Sequence, residues 1–331
     1  MSKVRMAVIG TGTFGRHHVR LLSQMPGVEL VGICDVDPNR AAAVAREFNC
    51  PVFTSLDALA GRMDAAIVAT PTSTHAAIAA ELLGAGVDVL IEKPIAQTSA
   101  AGERLAELAE RYGRILQVGH LERFNPAVEA LERAATIPLF FEIHRLSVFT
   151  TRSLDVDVVL DLMIHDLDIV LALTREDPVE IRAAGISVLS RKVDIANVRL
   201  SFPSGCIANL TASRVSTEKV RKLRLFQPGQ YLSLDYQRQD LLSFSVAAAG
   251  SVSPAQDAGT LPAIGHQALP VERAEPLARE LESFADAVRT RCPPRVDARQ
   301  ASRALRVAEA VVARIEEHAQ VVTRSLARAH E

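Results

Sequence analysis

The sequence lacks three features that would each point to a particular class of protein. No apolar run reaches the roughly 18 residues of a membrane-spanning helix. The first residues, MSKVRMAVIG, contain no apolar core of a signal peptide. The 37 Lys and Arg residues balance 39 Asp and Glu residues, and the formal net charge is -2. This charge gives no global reason to bind nucleic acid or a membrane surface, and we expect a cytoplasmic protein.

Cysteines are few and widely spaced. The four are Cys34, Cys50, Cys206 and Cys292, with no CxxC pair and no close His/Cys spacing. This pattern predicts no metal site, and the thiols are expected to be reduced.

The 331 residues show two different patterns of secondary structure along the chain, and this length suits about two domains. Residues 1–122 alternate short apolar runs, from Met6–Ile9 to Ile115–Val118, with helical patterns. This alternation is typical of βαβ units, so the fold class is α/β, with an N-terminal Rossmann domain built on a doubly wound parallel sheet. Residues 123–331 are expected to form a second domain for the substrate and for oligomerisation.

The second half of the chain contains consecutive strand patterns, from Leu139–Val148 to Tyr231–Tyr236, several of them separated by short turns such as FPSG and QPGQ. One helix is expected early, at Asp157–Leu173, and residues 247–276 read as a surface excursion. The pattern predicts an α+β domain with a large, mostly antiparallel open sheet. The closing helices, which are expected to pack back, are Leu277–Thr290 and Ala298–His318.

A glycine motif follows the first predicted strand. In AVIGTGTFGRHH, Gly10, Gly12 and Gly15 have the G-x-G-x-x-G spacing between a strand and a helix, which is the context that dinucleotide binding requires. Asp35 ends the second strand, where a carboxylate would bind the adenosine ribose and repel a 2′-phosphate. The predicted cofactor is therefore NAD, and Arg40 keeps NADP open as an alternative.

Polar residues also follow the third and fourth strands of the predicted sheet. Ligands of open parallel sheets bind beyond the carboxyl ends of the strands, so these residues should line the cofactor crevice with the glycine loop. The additional cofactor-binding candidates are Thr13, Phe14, Thr70, Pro71, Thr72, His75, Glu92 and Lys93. His17 and His18 are interpreted as solvated helix residues.

Several segments occur in the order typical of one enzyme family. GTGTFGRHH, ATPTSTH, EKP, LERFNP and LDLMIHDLDIVLAL together resemble the glucose–fructose oxidoreductase, inositol dehydrogenase and MocA family. The resemblance implies an NAD(P)-dependent dehydrogenase that acts on a sugar or cyclitol hydroxyl. It makes Lys93 the catalytic lysine and His165 the other acid/base candidate, with Asp161 on the same helix face. Arg123 and Glu92 would border the nicotinamide end.

The chemistry is coherent without the family. Oxidation of an alcohol needs a hydride acceptor, which nicotinamide supplies, and a base for the hydroxyl proton. Partial burial and the nicotinamide charge would lower the pKa of Lys93, whereas a histidine such as His165 is already near the right range. Which of the two takes the proton stays open.

The runs VVLDLMIHDLDIVLAL and VDIANVRLSFPSGCIANLTASRVSTEKVRKLRLFQPGQYLSLDY together resemble a family branch that oxidises the C3 hydroxyl of a nucleotide-linked N-acetyl sugar, before a transamination on the way to lipid A. The basic residues of the segment SRVSTEKVRKLRLF suit a diphosphate. The candidates are Arg214, Arg221 and Lys222, and strand alternation puts the last two on opposite faces. Tyr231 and Tyr236 are expected to pack in the sheet.

Three other functions stay open on the sequence alone. One is a free-sugar or inositol dehydrogenase, the second is a non-catalytic NAD-binding regulator, and the third is an enzyme of the same fold that reduces imines or biliverdin. The large sheet needs cover on its second face, so we expect a homo-oligomer, a dimer or a tetramer, formed by sheet stacking.

Overall fold

The computed structural model describes residues 3–59, 61–150, 156–246 and 264–329. The chain divides into two compact units. The first contains residues 1–124 and 275–306, and the second contains residues 125–274 and 307–331.

Strands and helices alternate along the first part of the chain, and strands predominate in the second. The strands are β1 Val4–Ile9, β2 Val28–Cys34, β3 Val52–Phe53, β4 Ala65–Val68, β5 Asp88–Glu92, β6 Leu116–Gly119, β7 Phe140–Val148, β8 Glu180–Ile186, β9 Ile195–Ser201, β10 Ile207–Ser216, β11 Val220–Gln227, β12 Gln230–Asp235, β13 Asp240–Val246 and β14 Ile264–Leu269. The helices are α1 Thr13–Leu22, α2 Pro38–Phe48, α3 Thr72–Gly84, α4 Ser99–Tyr112, α5 Pro126–Ala134, α6 Ile164–Thr174, α7 Pro276–Thr290 and α8 Ala298–Ala329.

The first unit is built on a parallel sheet with the strand order β3-β2-β1-β4-β5-β6. This is the doubly wound order of a Rossmann fold, and it confirms the predicted fold class. The central strands are apolar throughout because helices cover both faces of the sheet; Met6, Val8 and Ile67 are fully buried. The strand β3 was not predicted, since two residues carry no periodic signal.

The second unit contains an eight-stranded sheet with the order β14-β13-β12-β11-β7-β10-β9-β8. All neighbours are antiparallel except β7 and β10, which run parallel. This confirms the mostly antiparallel open sheet.

The sequence interpretation missed three elements of this unit. The helix α5 and the strand β13 were not predicted, and residues 264–269 were included in a surface excursion, although they form β14. Among the described strands, β14 lies at the edge of the sheet beside β13. Its residues 265–268 are all exposed, so no apolar alternation marks it in the sequence. The rest of the predicted excursion, up to residue 263, lies outside the described residues.

The predicted helix Asp157–Leu173 is two different elements. A π-helix runs over Val159–Met163, where the N–H of Ile164 donates to the carbonyl oxygen of Val159, and the regular helix α6 follows. The apolar periodicity predicts a helix there but cannot distinguish i+5 from i+4 hydrogen bonds. Single π-turns of this kind are frequent at functional sites.

Membrane-spanning helices and metal-binding clusters are both absent from the described part of the chain. Within the described ranges, no helix is long and apolar enough to cross a bilayer. Across those same ranges, no three His, Cys, Asp or Glu side chains are grouped so that they could hold a metal ion.

Candidate functional site

The glycine loop between β1 and α1 has the shape that a bound dinucleotide needs. Gly10 has a φ of +90°, and a Cβ on Gly15 would lie 1.9 Å from the carbonyl oxygen of Gly10. A Cβ on Gly12, in contrast, would meet nothing closer than Arg40 Nη1 at 4.0 Å. Gly10 and Gly15 are therefore required by the packing of the protein itself. The open space at Gly12 is where a pyrophosphate would approach the backbone.

The helix α1 begins directly beyond this loop. Gly12 is its N-cap residue, no side chain caps the helix, and the first turn carries no acidic residue. A helix N-terminus of this kind attracts an anion through its backbone N–H groups and dipole. Thr13 and Phe14 form the start of the helix, and the Phe14 side chain is exposed.

Asp35 lies beside the glycine loop, as its position after β2 predicts. Its Oδ2 accepts hydrogen bonds from Thr11 N at 2.7 Å and Thr11 Oγ1 at 2.8 Å, and its Oδ1 accepts one from Asp37 N at 2.8 Å. Burial works to raise the pKa of Asp35, but the hydrogen bonds from Asp37 and Thr11 lower it on balance. The side chain is therefore an ionised acceptor. Arg40 pairs with Asp37 instead, at 3.2 Å.

The loop after β4 is attached to the loop after β5 through His75. The ring is 1 % exposed; Nδ1 is 2.9 Å from the carbonyl oxygen of Pro94, and Nε2 is 2.9 Å from that of Thr70. His75 therefore links the two loops, and each of its ring nitrogens contacts a backbone carbonyl oxygen. Pro71 is the N-cap residue of α3, and Thr72 begins that helix.

The charges that end β5 have different environments. Glu92 Oε1 is 2.7 Å from His18 Nε2, and the side chains of Glu92 and His18 are 14 % and 0 % exposed. The interpretation of His18 as a solvated residue is therefore wrong: α1 packs this ring against the strand end. Lys93 is half-buried, and its peptide bond to Pro94 is cis.

Glu92 is ionised although it is largely shielded from solvent. Burial works to raise its pKa, but the hydrogen bond and charge of His18, together with the charge of Lys93, lower it on balance. The Glu92 carboxylate, at the end of β5, therefore already has a hydrogen-bonding partner within the protein. A histidine one helical turn past the third glycine was the sequence signal for this contact, but histidine alone does not reveal which face of a helix it occupies.

Arg123 lies in a short 3-10 helix, Leu121–Phe124, directly after β6. Its side chain is 7 % exposed, and its carbonyl oxygen accepts a hydrogen bond from Arg295 Nε at 3.0 Å. The residue is therefore a buried cation at the carboxyl end of the parallel sheet.

In the second unit, Asp161 and His165 lie on consecutive helical segments. Asp161 is in the π-helix, His165 is in the first turn of α6, and both are half-buried. The backbone N–H of Asp161 donates to the carbonyl oxygen of Asp157 at 2.9 Å. Burial raises the pKa of Asp157, which precedes the π-helix.

A buried ion pair anchors α6 next to His165. Arg145 Nε and Nη2 donate to Asp166 Oδ2 and Oδ1 at 2.7 and 2.8 Å, and both side chains are 2 % exposed. The Tyr236 hydroxyl donates to Asp166 Oδ1 at 3.1 Å. Sequence reasoning assigned Asp166 no role. The sequence signal for this ion pair was Arg145, which follows Phe141 and Ile143 on the inward-facing positions of β7. An inward-facing charge needs a buried partner.

The basic candidates of this unit differ in accessibility. Arg214 is 5 % exposed, and its Nη2 donates to the carbonyl oxygen of Val156 at 2.6 Å. Arg221 is half-buried and is paired in register with Arg145, whereas Lys222 is exposed and is paired with His144. Cross-strand partners share a sheet face, so Arg221 lies on the face that α6 covers.

A cavity of about 230 Å³ opens beside this strand. Its charged lining is mostly basic, because four cations outnumber two carboxylates. The charged residues are Lys219, Arg221, Lys222, Arg238, Glu218 and Asp235.

The parallel sheet, glycine loop, uncapped α1 and ionised Asp35 define an NAD-binding Rossmann domain. The model of the oxidoreductase family with an NAD-binding Rossmann fold (GFO/IDH/MocA) matches residues 4–120, and that of the GFO/IDH/MocA C-terminal domain matches residues 133–226. The chain belongs to this family. The resemblance noted from the sequence motifs is thereby confirmed.

Individual relatives agree with this assignment. The chain is 37% identical over 294 residues to UDP-N-acetylglucosamine 3-dehydrogenase of Acidithiobacillus ferrooxidans, with 88% of this chain and 91% of the relative covered. The solved structure of that enzyme has a TM-score of 0.88 at 35% identity, with 96% and 99% of the two chains covered. Inositol 2-dehydrogenase of Rhizobium meliloti is 26% identical over 336 residues, which cover 96% of this chain and 98% of the relative.

Proposed function

We propose that the protein oxidises the C3 hydroxyl of UDP-N-acetylglucosamine to a ketone with NAD. The observation that carries this proposal is the similarity to UDP-N-acetylglucosamine 3-dehydrogenase along 88% of the chain. Residues 1–122 would hold the cofactor, and residues 123–331 the substrate. The ketone would serve a later transamination, as in the formation of a lipid A precursor.

In this proposal the glycine loop, α1 and Asp35 hold NAD, which supplies the hydride acceptor when it is bound. Lys93 and His165 are the groups that bind the reacting hydroxyl and take up its proton. Asp161 orients the substrate. The Arg145–Asp166 pair holds the first turn of α6 in place, which fixes the position of the His165 backbone.

The basic cavity supports a substrate that carries a diphosphate. Arg221 and Lys222 both line it, and arginine and lysine bind phosphate oxygens through charge-assisted hydrogen bonds. Arg214 donates a hydrogen bond to the carbonyl oxygen of Val156. We therefore propose that it anchors the segment before the π-helix and does not bind the substrate.

The test is an absorbance assay of reduced nicotinamide. Purified protein and NAD are mixed with UDP-N-acetylglucosamine, UDP-glucose, N-acetylglucosamine or myo-inositol, with a ketone trap to draw the reaction forward. Turnover only with the nucleotide-linked N-acetyl sugar supports the proposal. Turnover only with the free sugar or inositol contradicts it.

Two arginines of β11 provide a matched pair for the diphosphate. Arg221→Ala should raise KM for the nucleotide sugar at least about tenfold, since charged hydrogen bonds contribute about 1.5–3 kcal/mol each. Arg224 is exposed on the opposite sheet face, where it pairs with Glu142 at 3.1 Å. Arg224→Ala should therefore leave KM unchanged, and equal effects of the two variants would argue against the cavity.

A free-polyol dehydrogenase is the second candidate, favoured by the similarity to inositol 2-dehydrogenase over 96% of the chain. Such an enzyme would turn over myo-inositol, and Arg221→Ala would not change its KM.

A further inference from the structure

Glu280 is a carboxylic acid in the interior of the first unit. It lies on α7, its side chain is 0 % exposed, and neither carboxyl oxygen has a hydrogen-bond partner among the described residues. An isolated carboxylate in such surroundings is costly, and the group binds a proton instead. Burial and the nearby charge of Glu92 raise the pKa of Glu280 well above the ordinary 4.5.

The elements that pack against α7 carry other buried polar groups. The amide Nε2 of Gln117 on β6 donates to the Glu280 carbonyl oxygen at 3.2 Å, whereas Gln117 Oε1 has no hydrogen-bond partner in the described part of the chain. The helix α1 and the 3-10 helix after β6 pack against α7 and carry the buried ionisable side chains of His18, Glu122 and Arg123. The charge of Glu92, at the end of β5, acts on Glu280.

We propose that Glu280 is a positioning residue that keeps one proton in the interior, so that Glu92 retains its negative charge and its hydrogen bond to His18 beside Lys93. Two neighbouring buried carboxyl groups do not both ionise readily, because each negative charge opposes the other. With the proton on Glu280, Glu92 is the ionised member, which is the state that the 2.7 Å contact with His18 favours.

Loss of this proton at high pH has a defined consequence. The proton passes to solvent and leaves a second negative charge beside Glu92, which stays ionised because Glu280 is the tighter proton site of the two. The two like charges then repel each other, and the electrostatic environment of His18 and Lys93 changes. The effect on catalysis rests on the proposed role of Lys93, whereas the proton on Glu280 does not.

The decisive variant is Glu280→Gln, a neutral residue of the same shape. Infrared spectroscopy of the wild type at neutral pH should show the carbonyl stretch of a buried protonated carboxyl, and this band should be absent from the variant. Glu280→Asp should shift the band, which assigns it even if the glutamine variant does not fold. Glu282→Gln, an exposed position on the same helix, should leave it unchanged. Absence of the band from the wild type at neutral pH would overturn the proposal.

The kinetic readout tests the coupling to the active site. The alkaline limb of the pH profile of kcat/KM should shift by about one unit or more in Glu280→Gln, as expected for strongly interacting groups, with NAD affinity unchanged. The positioning role would be overturned if the wild type shows the infrared band but the alkaline limb of the kcat/KM profile is the same in Glu280→Gln. If no hydroxyl substrate is turned over, the proposed function fails, and the infrared result still decides whether Glu280 holds its proton.

Discussion

Glu92 and Lys93 are adjacent charges at the carboxyl end of β5. Glu92 is held by His18 at 2.7 Å inside the first unit. Lys93 follows at a half-buried position beyond the carboxyl end of the sheet, where ligands of this fold bind. At the residue scale, an ionised carboxylate next to the lysine is therefore a built-in part of the site, and its charge is maintained by protein groups.

Replacement of Lys93 by methionine tests the residue that we assign to the hydroxyl proton. Lys93→Met should lower kcat by about 10²–10⁴-fold, the usual contribution of a general acid or base. NAD affinity, measured by calorimetry, should change little, because the glycine loop and Asp35 are intact. A variant with undiminished kcat would remove Lys93 from the mechanism.

At the scale of elements, the strand-to-helix turn at residues 10–15 combines two requirements on glycine. Gly15 is required by the fold, since a Cβ there would lie 1.9 Å from the Gly10 carbonyl oxygen. Gly12 has open space around it, and the protein alone would accept a side chain there.

Alanine substitutions at these two glycines should therefore have different effects. Gly12→Ala should fold with nearly unchanged stability and weaken NAD binding at least about tenfold, which corresponds to about 1.4 kcal/mol. Gly15→Ala should itself destabilise the protein by about 1–3 kcal/mol through overpacking. Calorimetry with NAD and thermal unfolding measure the two effects, and tight NAD binding by Gly12→Ala would contradict the assigned path of the pyrophosphate.

The turn before β9 depends on one carboxylate. Asp194 accepts hydrogen bonds from the backbone N–H groups of Val188, Leu189 and Ser190 at 2.7, 2.7 and 2.9 Å, and from the Ser190 hydroxyl at 2.6 Å. Burial works to raise the pKa of Asp194, but these hydrogen bonds outweigh it and lower the pKa from 3.8 to about 2.

The lowered pKa gives the effect of pH a definite sign. Asp194 stabilises the fold above the unfolded-state pKa of 3.8, and this contribution is lost as the pH falls towards about 2. Asp194→Asn should cost up to about 2 kcal/mol at neutral pH. Urea unfolding should show that the difference from the wild type shrinks below pH 3.8, and a constant difference would contradict the assignment.

At the scale of the whole molecule, the outer face of the eight-stranded sheet carries a row of rings. Phe140, Phe226, Tyr231, Phe244 and His266 follow one another across five strands, with centroids 5.9, 5.3, 4.4 and 6.3 Å apart. This row lies on the face opposite the buried residues of the sheet. An apolar row on an outer sheet face is typical of an interface, which supports the proposal of a homo-oligomer.

Light scattering should therefore give a mass that is a multiple of 35.7 kDa. Tyr231→Glu should lower this mass to that of the monomer, since it places a charge in the middle of the row. Arg46→Ser, at an exposed position on α2, is the control and should leave the mass unchanged. A wild-type monomer at working concentration would remove the proposal.

The amino-acid sequence alone was sufficient to predict the Rossmann domain, the mostly antiparallel second sheet, the NAD loop and the family. These follow from local patterns: apolar periodicity, the glycine spacing and Asp35 at the end of β2 are read along the chain without reference to distant residues. Three interactions were visible only in the tertiary structure. They are the charge–charge interaction between Glu280 and Glu92, the hydrogen bond between His18 and Glu92, and the ion pair between Arg145 and Asp166. These partners are separated by as few as 21 and as many as 188 positions in the chain, and a pairing between distant buried charges leaves no periodic signal. The π-helix could not be predicted from the sequence either, because the same apolar residues are compatible with i+4 and with i+5 hydrogen bonds.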